Sequence, residues 1–146
     1  MKTRFFYSVL ASAITMLIIN GGIFPLFYGD FLQNYSALPL EIWLQVQKPV
    51  AETNIPLSLI AMICIGTLIT AVMVWSQAKT FLQGIKSGAI LGLLMVGSVN
   101  LGLLATTNYY SITSGIVDIF VGGLSIALTG GVAAIIMGRK SKSITK

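Results

Sequence analysis

Residues 111–138, "SITSGIVDIFVGGLSIALTGGVAAIIMG", decide the fold, because they form a long apolar run with a single charged residue, Asp118. A helix that crosses a membrane needs about 20 consecutive apolar residues. This run is longer, so we expect a helix that tilts or projects from the bilayer. The same run raises a functional question, since a carboxylate in a membrane helix needs a reason.

The composition of the whole chain agrees with a membrane protein. Of its 146 residues, 55% are hydrophobic and only 9% are charged. Soluble domains carry about 25% charged residues. We therefore predict one integral membrane domain over residues 1–146, with no separate soluble module.

Four apolar segments are long enough to span the bilayer, so the predicted fold is all-α, a bundle of four transmembrane helices. Their approximate bounds are residues 5–27, 56–77, 84–106 and 111–138. A long loop joins the first two helices. Within it, "LPLEIWLQV" alternates apolar and polar residues, which predicts a short extended or irregular segment.

The basic residues predict how the bundle is oriented. Eight of the nine Lys and Arg residues lie before the first span, in the 78–86 loop that joins the second and third spans, or after the fourth. The positive-inside rule then places both termini and the 78–86 loop in the cytoplasm, with residues 28–55 outside. We expect this topology in the inner membrane of a bacterium.

The same charges argue against several other classes of protein. Because the basic residues mark orientation, we expect no nucleic-acid partner. The chain has no histidine and one cysteine, Cys64, so we expect no metal and no cofactor. General acid–base chemistry usually needs two positioned titratable groups, and no catalytic motif is present. We therefore expect a protein that is not an enzyme.

Glycine spacing predicts close helix packing. The third span opens "GIKSGAILG", with Gly84, Gly88 and Gly92 four residues apart. This small-xxx-small pattern lets helix backbones touch in lipid. The partner helix lies in the same chain, in a second copy of it, or in another membrane protein, and the pattern does not choose among these.

The fourth span carries one face of small and polar residues. Its members follow each other at steps of 4, 3, 4, 3 and 4: Ser111, Gly115, Asp118, Gly122, Ser125 and Thr129. We expect Gly115 and Gly122 to pack against another helix. Asp118 then faces protein or water rather than lipid, as acids inside membranes usually do.

Three polar side chains on three helices lie at a similar predicted depth. Asp118 is about seven residues from the outer end of its helix, or ~10 Å at 1.5 Å per residue. Asn100 and Asn20 lie at comparable distances from the outer ends of theirs. The sequence therefore predicts that Asp118 points inward and hydrogen-bonds at least one of Asn100 and Asn20, or a trapped water. One cluster of all three is the fullest form of this prediction, and Ser125 on the same stripe is a further candidate.

The energetics leave the role of Asp118 open. An aspartate at the bilayer centre costs about 2.5–3.5 kcal/mol, and each interhelical hydrogen bond offsets about 0.6 kcal/mol of that cost. Asp118 therefore has one of three roles. It holds helices together within the chain, it binds a proton, cation or polar ligand, or it contacts another subunit.

Several segments together resemble a known group of proteins. These are "GGIFPLFYGDF" at residues 21–31, "GIKSGAILGLL" at 84–94, Asn100, and "IVDIFVGGLSIALTGGVAAIIMGR" at 116–139. In this layout the chain resembles small bacterial four-helix integral membrane proteins of unassigned function. The resemblance implies the topology and no chemistry.

Two functions follow as expectations. The first is a structural or accessory subunit that packs through glycine-rich faces against further copies or other membrane-protein helices. The second is a small oligomeric channel or carrier for an ion or polar solute that uses Asp118. A continuous polar stripe would favour transport, and the stripe thins to Val132 and Ala133 after Thr129, which favours the first.

Overall fold

The computed structural model describes residues 2–24, 26, 38–39, 41–42, 45, 52–108 and 110–139. Four helices make up most of this part: α1 (Lys2–Ile18), α2 (Ile55–Trp75), α3 (Phe81–Thr106) and α4 (Ile112–Gly138). A π-helical turn, Ile19–Ile23, extends α1. All four are long and apolar enough to cross a membrane, so the prediction of an all-α chain with four such helices is confirmed.

Side-chain caps fix where α3 and α4 begin. Thr80 accepts a hydrogen bond from the Gln83 backbone N–H at 3.3 Å, and the Gln83 side chain accepts one from the Thr80 N–H at 3.3 Å. This reciprocal capping box starts α3 at Phe81, three residues before the predicted start. Ser111 caps α4 in a similar way, accepting from the Ser114 N–H at 3.2 Å.

The fourth helix is the centre of the bundle. In the 18-residue apolar stretch of each helix, half of the residues of α4 are buried, against 28%, 22% and 22% in α1, α2 and α3. α3 packs almost entirely on α4, whereas α1 packs on both α2 and α4. The core between the helices contains Met16, Ile69, Met73, Ile126, Ala133 and Ala134.

The two ends of the bundle differ in charge and in packing. Every described Lys and Arg residue lies where α1 and α3 begin and α2 and α4 end, which we call the basic end. The buried residues of α2 begin at Gly66, so its first half, from Ile55, is not buried. The helices are therefore packed most tightly towards the basic end.

The loop between α1 and α2 differs from expectation where it is described. Glu41, Ile42 and Gln45 are helical, so the predicted extended segment is wrong at these residues. The Ile42 N–H donates to the Pro39 carbonyl at 3.0 Å, which turns the chain there. Most of the predicted external loop, and residues 140–146, lie outside the described residues.

Candidate functional site

Every fourth residue of α3 faces α4 along the length of the helix. The α3 row consists of Gly84, Gly88, Gly92, Val96, Asn100 and Leu104. At the basic end the row is glycine, and backbone meets backbone. A Cβ added at Gly88 would lie 2.8 Å from the Ile126 carbonyl oxygen, and one at Gly92 would lie 2.8 Å from that of Gly123. A side chain at these positions would push the two helices apart.

Gly84 has the closest contact of the row. A Cβ added there would meet the Gly130 carbonyl oxygen and the Ala134 Cβ, the latter at 2.6 Å. All three glycines of the α3 row therefore lie against α4. The partner helix that the spacing left open is in the same chain.

In the other half of the row the arrangement reverses, because glycines of α4 receive side chains of α3. A Cβ added at Gly122 would lie 2.9 Å from a Val96 methyl carbon. One added at Gly115 would lie 2.7 Å from Leu104 Cδ1. All five glycines selected from the sequence thus lie at the contact between α3 and α4.

Asn100 and Asp118 form a polar pair within this contact. The Asn100 amide nitrogen donates to Asp118 Oδ2 at 2.6 Å. Asn100 is 3% exposed, whereas Asp118 is only half-buried. Within the described part of the chain, the second carboxylate oxygen accepts no hydrogen bond. The pair joins α3 to α4 and leaves one oxygen available.

Asn20 and Ser125 form a second polar contact, between α1 and α4. The Ser125 hydroxyl lies 3.2 Å from Asn20 Oδ1 and 3.5 Å from the Met16 sulfur, so its one proton is donated to either acceptor. The Asn20 amide also donates to the Met16 sulfur at 3.7 Å. Asn20 lies in the π-helical turn after α1.

Asp118 hydrogen-bonds Asn100, one of the two asparagines predicted for it, but a single cluster that includes Asn20 does not form, because Asn20 bonds Ser125. The reason is the direction of the side chains, which in a helix lean towards its N-terminus. Asn20 therefore leans towards the basic end, where it contacts Met16 and Ser125. Asp118 lies on the antiparallel α4, so its side chain leans the other way.

A buried hydroxyl contact near the basic end was missed by the sequence reasoning. The Ser8 hydroxyl donates to the Ala133 carbonyl at 3.3 Å and lies 3.2 Å from Thr70 Oγ1, so Thr70 donates to Ser8. This contact joins α1, α2 and α4. Ser8, Ser12 and Met16 have the same four-residue spacing as the glycines of α3, which is the signal that predicts it.

Ser12 differs from its neighbours on α1. Its side chain is fully buried, and its hydroxyl has no hydrogen-bond partner among the described residues. It packs beside Gly66, where a Cβ added to the glycine would lie 3.3 Å from Ser12 Cβ and 2.9 Å from the Val9 carbonyl oxygen. Close approach of α1 and α2 therefore buries a hydroxyl without satisfying it.

The chemistry available to these residues is limited. Among the described residues, no three His, Cys, Asp or Glu side chains converge to hold a metal ion. Cys64 is exposed on α2. Asp118 is the only acid within α1–α4. The arrangement fastens helices to each other and offers a proton or cation one carboxylate oxygen.

No protein-family model, curated protein or solved structure matches this chain. The resemblance drawn from its sequence segments therefore stays an expectation.

Proposed function

We propose that this chain is a non-enzymatic membrane protein that serves as a structural or accessory subunit of a membrane assembly. The observation that supports the proposal is that the inward-facing polar groups bond to each other. Asn100 bonds Asp118, Asn20 bonds Ser125, and Ser8 contacts Thr70, each pair across two helices. Polar groups bonded in this way hold a bundle together rather than line a path for a solute.

A second observation concerns the face of α3 that points away from α4. Ser98, Gly102 and Thr106 are exposed and four residues apart, and a Cβ added at Gly102 meets nothing within 4 Å. Small residues at this spacing favour a second helix in lipid. In this proposal, α3 packs on α4 with one face and on a helix of the assembly with the other.

The test is the mass of the protein purified in mild detergent, together with the identity of any chain that copurifies. We expect a mass above that of one chain with its detergent, from a second copy or a different protein. Gly102→Leu should remove the added mass and leave the helix content of the chain unchanged. Ile90→Leu is the control, because Ile90 is also on α3 and 65% exposed. A wild-type monomer without any partner would contradict the proposal.

The alternative is a small oligomeric channel or carrier for an ion or polar solute. It is favoured by the half-buried state of Asp118 and by its second carboxylate oxygen, which bonds nothing within the described residues. Ion or solute flux into vesicles containing the purified protein tests it. Asp118→Asn should then abolish flux while the protein folds normally. Flux equal to that of empty vesicles would rule this alternative out.

A further inference from the structure

Two arginines from different helices line one groove at the basic end of the bundle. Arg4 and Tyr7 come from α1, and Ile136 and Arg139 come from the end of α4. The groove has a volume of about 410 Å³. On each helix, the arginine lies three residues from its aromatic or aliphatic neighbour, so the two side chains share a face. The groove therefore combines two positive charges with two hydrophobic side chains.

The backbone register brings these residues together. Ser8 donates to the Ala133 carbonyl at 3.3 Å and so fixes α1 against α4. Arg4 lies about 6 Å before Ser8, and Arg139 lies about 9 Å after Ala133, at 1.5 Å per residue. Both arginines thus lie within about 3 Å of the same level of the bundle. The groove is set by the packed core and not by chance side-chain positions.

The groove has no acidic partner within the described part of the chain. The four acids of the sequence are Asp30, Glu41, Glu52 and Asp118. Asp118 bonds Asn100 and lies about 27 Å along α4 from Ile136, at 1.5 Å per residue. No described carboxylate pairs with either arginine. Lys2 lines a second groove, with Phe5, Val74 and Met137, and so adds positive charge to the same end of the bundle.

We propose that this groove binds the phosphate group of an anionic phospholipid. A guanidinium offers planar, paired N–H donors that match phosphate oxygens. Tyr7, 59% exposed, and Ile136 would pack against the glycerol and the first acyl carbons. Inorganic phosphate shares the charge but makes no use of this hydrophobic wall. Basic pockets between membrane helices bind anionic head groups by the same means.

Native mass spectrometry of the full chain in neutral detergent tests the site. The probes are phosphatidylglycerol and phosphatidylcholine with the same acyl chains. We expect wild-type protein to retain phosphatidylglycerol preferentially. Arg4→Gln and Arg139→Gln should each reduce that preference about fivefold. Lys86→Gln is the control, because it removes one positive charge from the basic end outside the groove, and it should leave the preference unchanged.

Two outcomes would overturn the proposal. An equal loss in Lys86→Gln and Arg4→Gln would mean that diffuse charge, and not the groove, attracts the lipid. Stabilisation of the wild type by inorganic phosphate alone, with no preference between the two lipids, would assign the site to soluble phosphate. If Arg4→Gln does not fold, Arg139→Gln alone serves, since Arg139 follows the last residue of α4. The site does not depend on the proposed function, so either can fail alone.

Discussion

Asn100 donates a 2.6 Å hydrogen bond to Asp118 from the same row of α3 that carries Gly84, Gly88 and Gly92. The glycine contacts at one end and the polar pair at the other are therefore parts of one interface. α3 has few contacts outside α4. A change anywhere along this row should consequently loosen α3 from the rest of the bundle.

Substitution of Asp118 separates its shape from its charge. Asp118→Leu should lower the free energy of unfolding by about 1–2 kcal/mol, because the buried Asn100 amide loses its acceptor. Asp118→Asn keeps the shape and an oxygen acceptor, so it should cost less. Equilibrium unfolding in mixed micelles measures both. Equal stability of wild type and Asp118→Leu would show that the bond does not hold α3 in place.

The glycines of the α3 row offer a second test of the same interface. Gly88→Leu and Gly92→Leu should each lower the melting temperature in detergent, because backbone atoms of α4 lie within 3 Å of an added Cβ. Ile90→Leu, at an exposed position of the same helix, is the control and should leave it unchanged. The interface described here would be wrong if all three variants melted together with the wild type.

Ser8 and Ser12 are both fully buried on α1 but should respond differently to truncation. Ser8→Ala removes the contacts with Thr70 and Ala133 and should cost about 0.6 kcal/mol or more. Ser12→Ala removes a hydroxyl without a partner, so stability should stay the same or rise. Thermal unfolding of the two variants compares them directly. A larger loss for Ser12→Ala would mean that its hydroxyl is satisfied.

The orientation of the bundle is tested by chemical labelling. In a Cys64→Ala background, single cysteines replace Gln83, in the first turn of α3, and Gln33, in the predicted external loop. An impermeant thiol reagent added to intact cells should label position 33 and spare position 83, because the basic residues predict a cytoplasmic basic end. Labelling of both positions after the cells are broken is the control. Labelling of position 83 in intact cells would show that the bundle has the opposite orientation to the predicted one.

The four helices could be predicted from the sequence because length and hydropathy are local properties. The early start of α3 was also readable, since Thr80 and Gln83 have the spacing of a capping box. Glycine spacing located the close contacts but not the partner helix. Which helices are neighbours depends on packing throughout the bundle, so no local sequence pattern specifies the neighbours.

The polar contacts likewise include one that the sequence could predict and one that it could not. Asn100 continues the four-residue spacing from Gly92, so its contact with α4 could have been predicted from the glycines. Asn20 could not be placed by counting residues from helix ends. Its contact depends on the direction of its side chain, which leans towards Met16 and Ser125 and away from Asp118. Such a contact follows from packing between distant parts of the chain, which a position along one helix does not specify.

The central position of α4 has a consequence for biosynthesis. Of the four helices, α4 is synthesised last, yet it covers the glycine row of α3 and accepts the bond from Ser8. A nascent chain with only α1, α2 and α3 in the membrane therefore exposes Gly84, Gly88 and Gly92 to lipid. Small-residue faces of this kind pair with other helices. Termination of synthesis before Ile112 would thus release a three-helix product that is prone to mispairing. Insertion of α4 is the step that completes the fold.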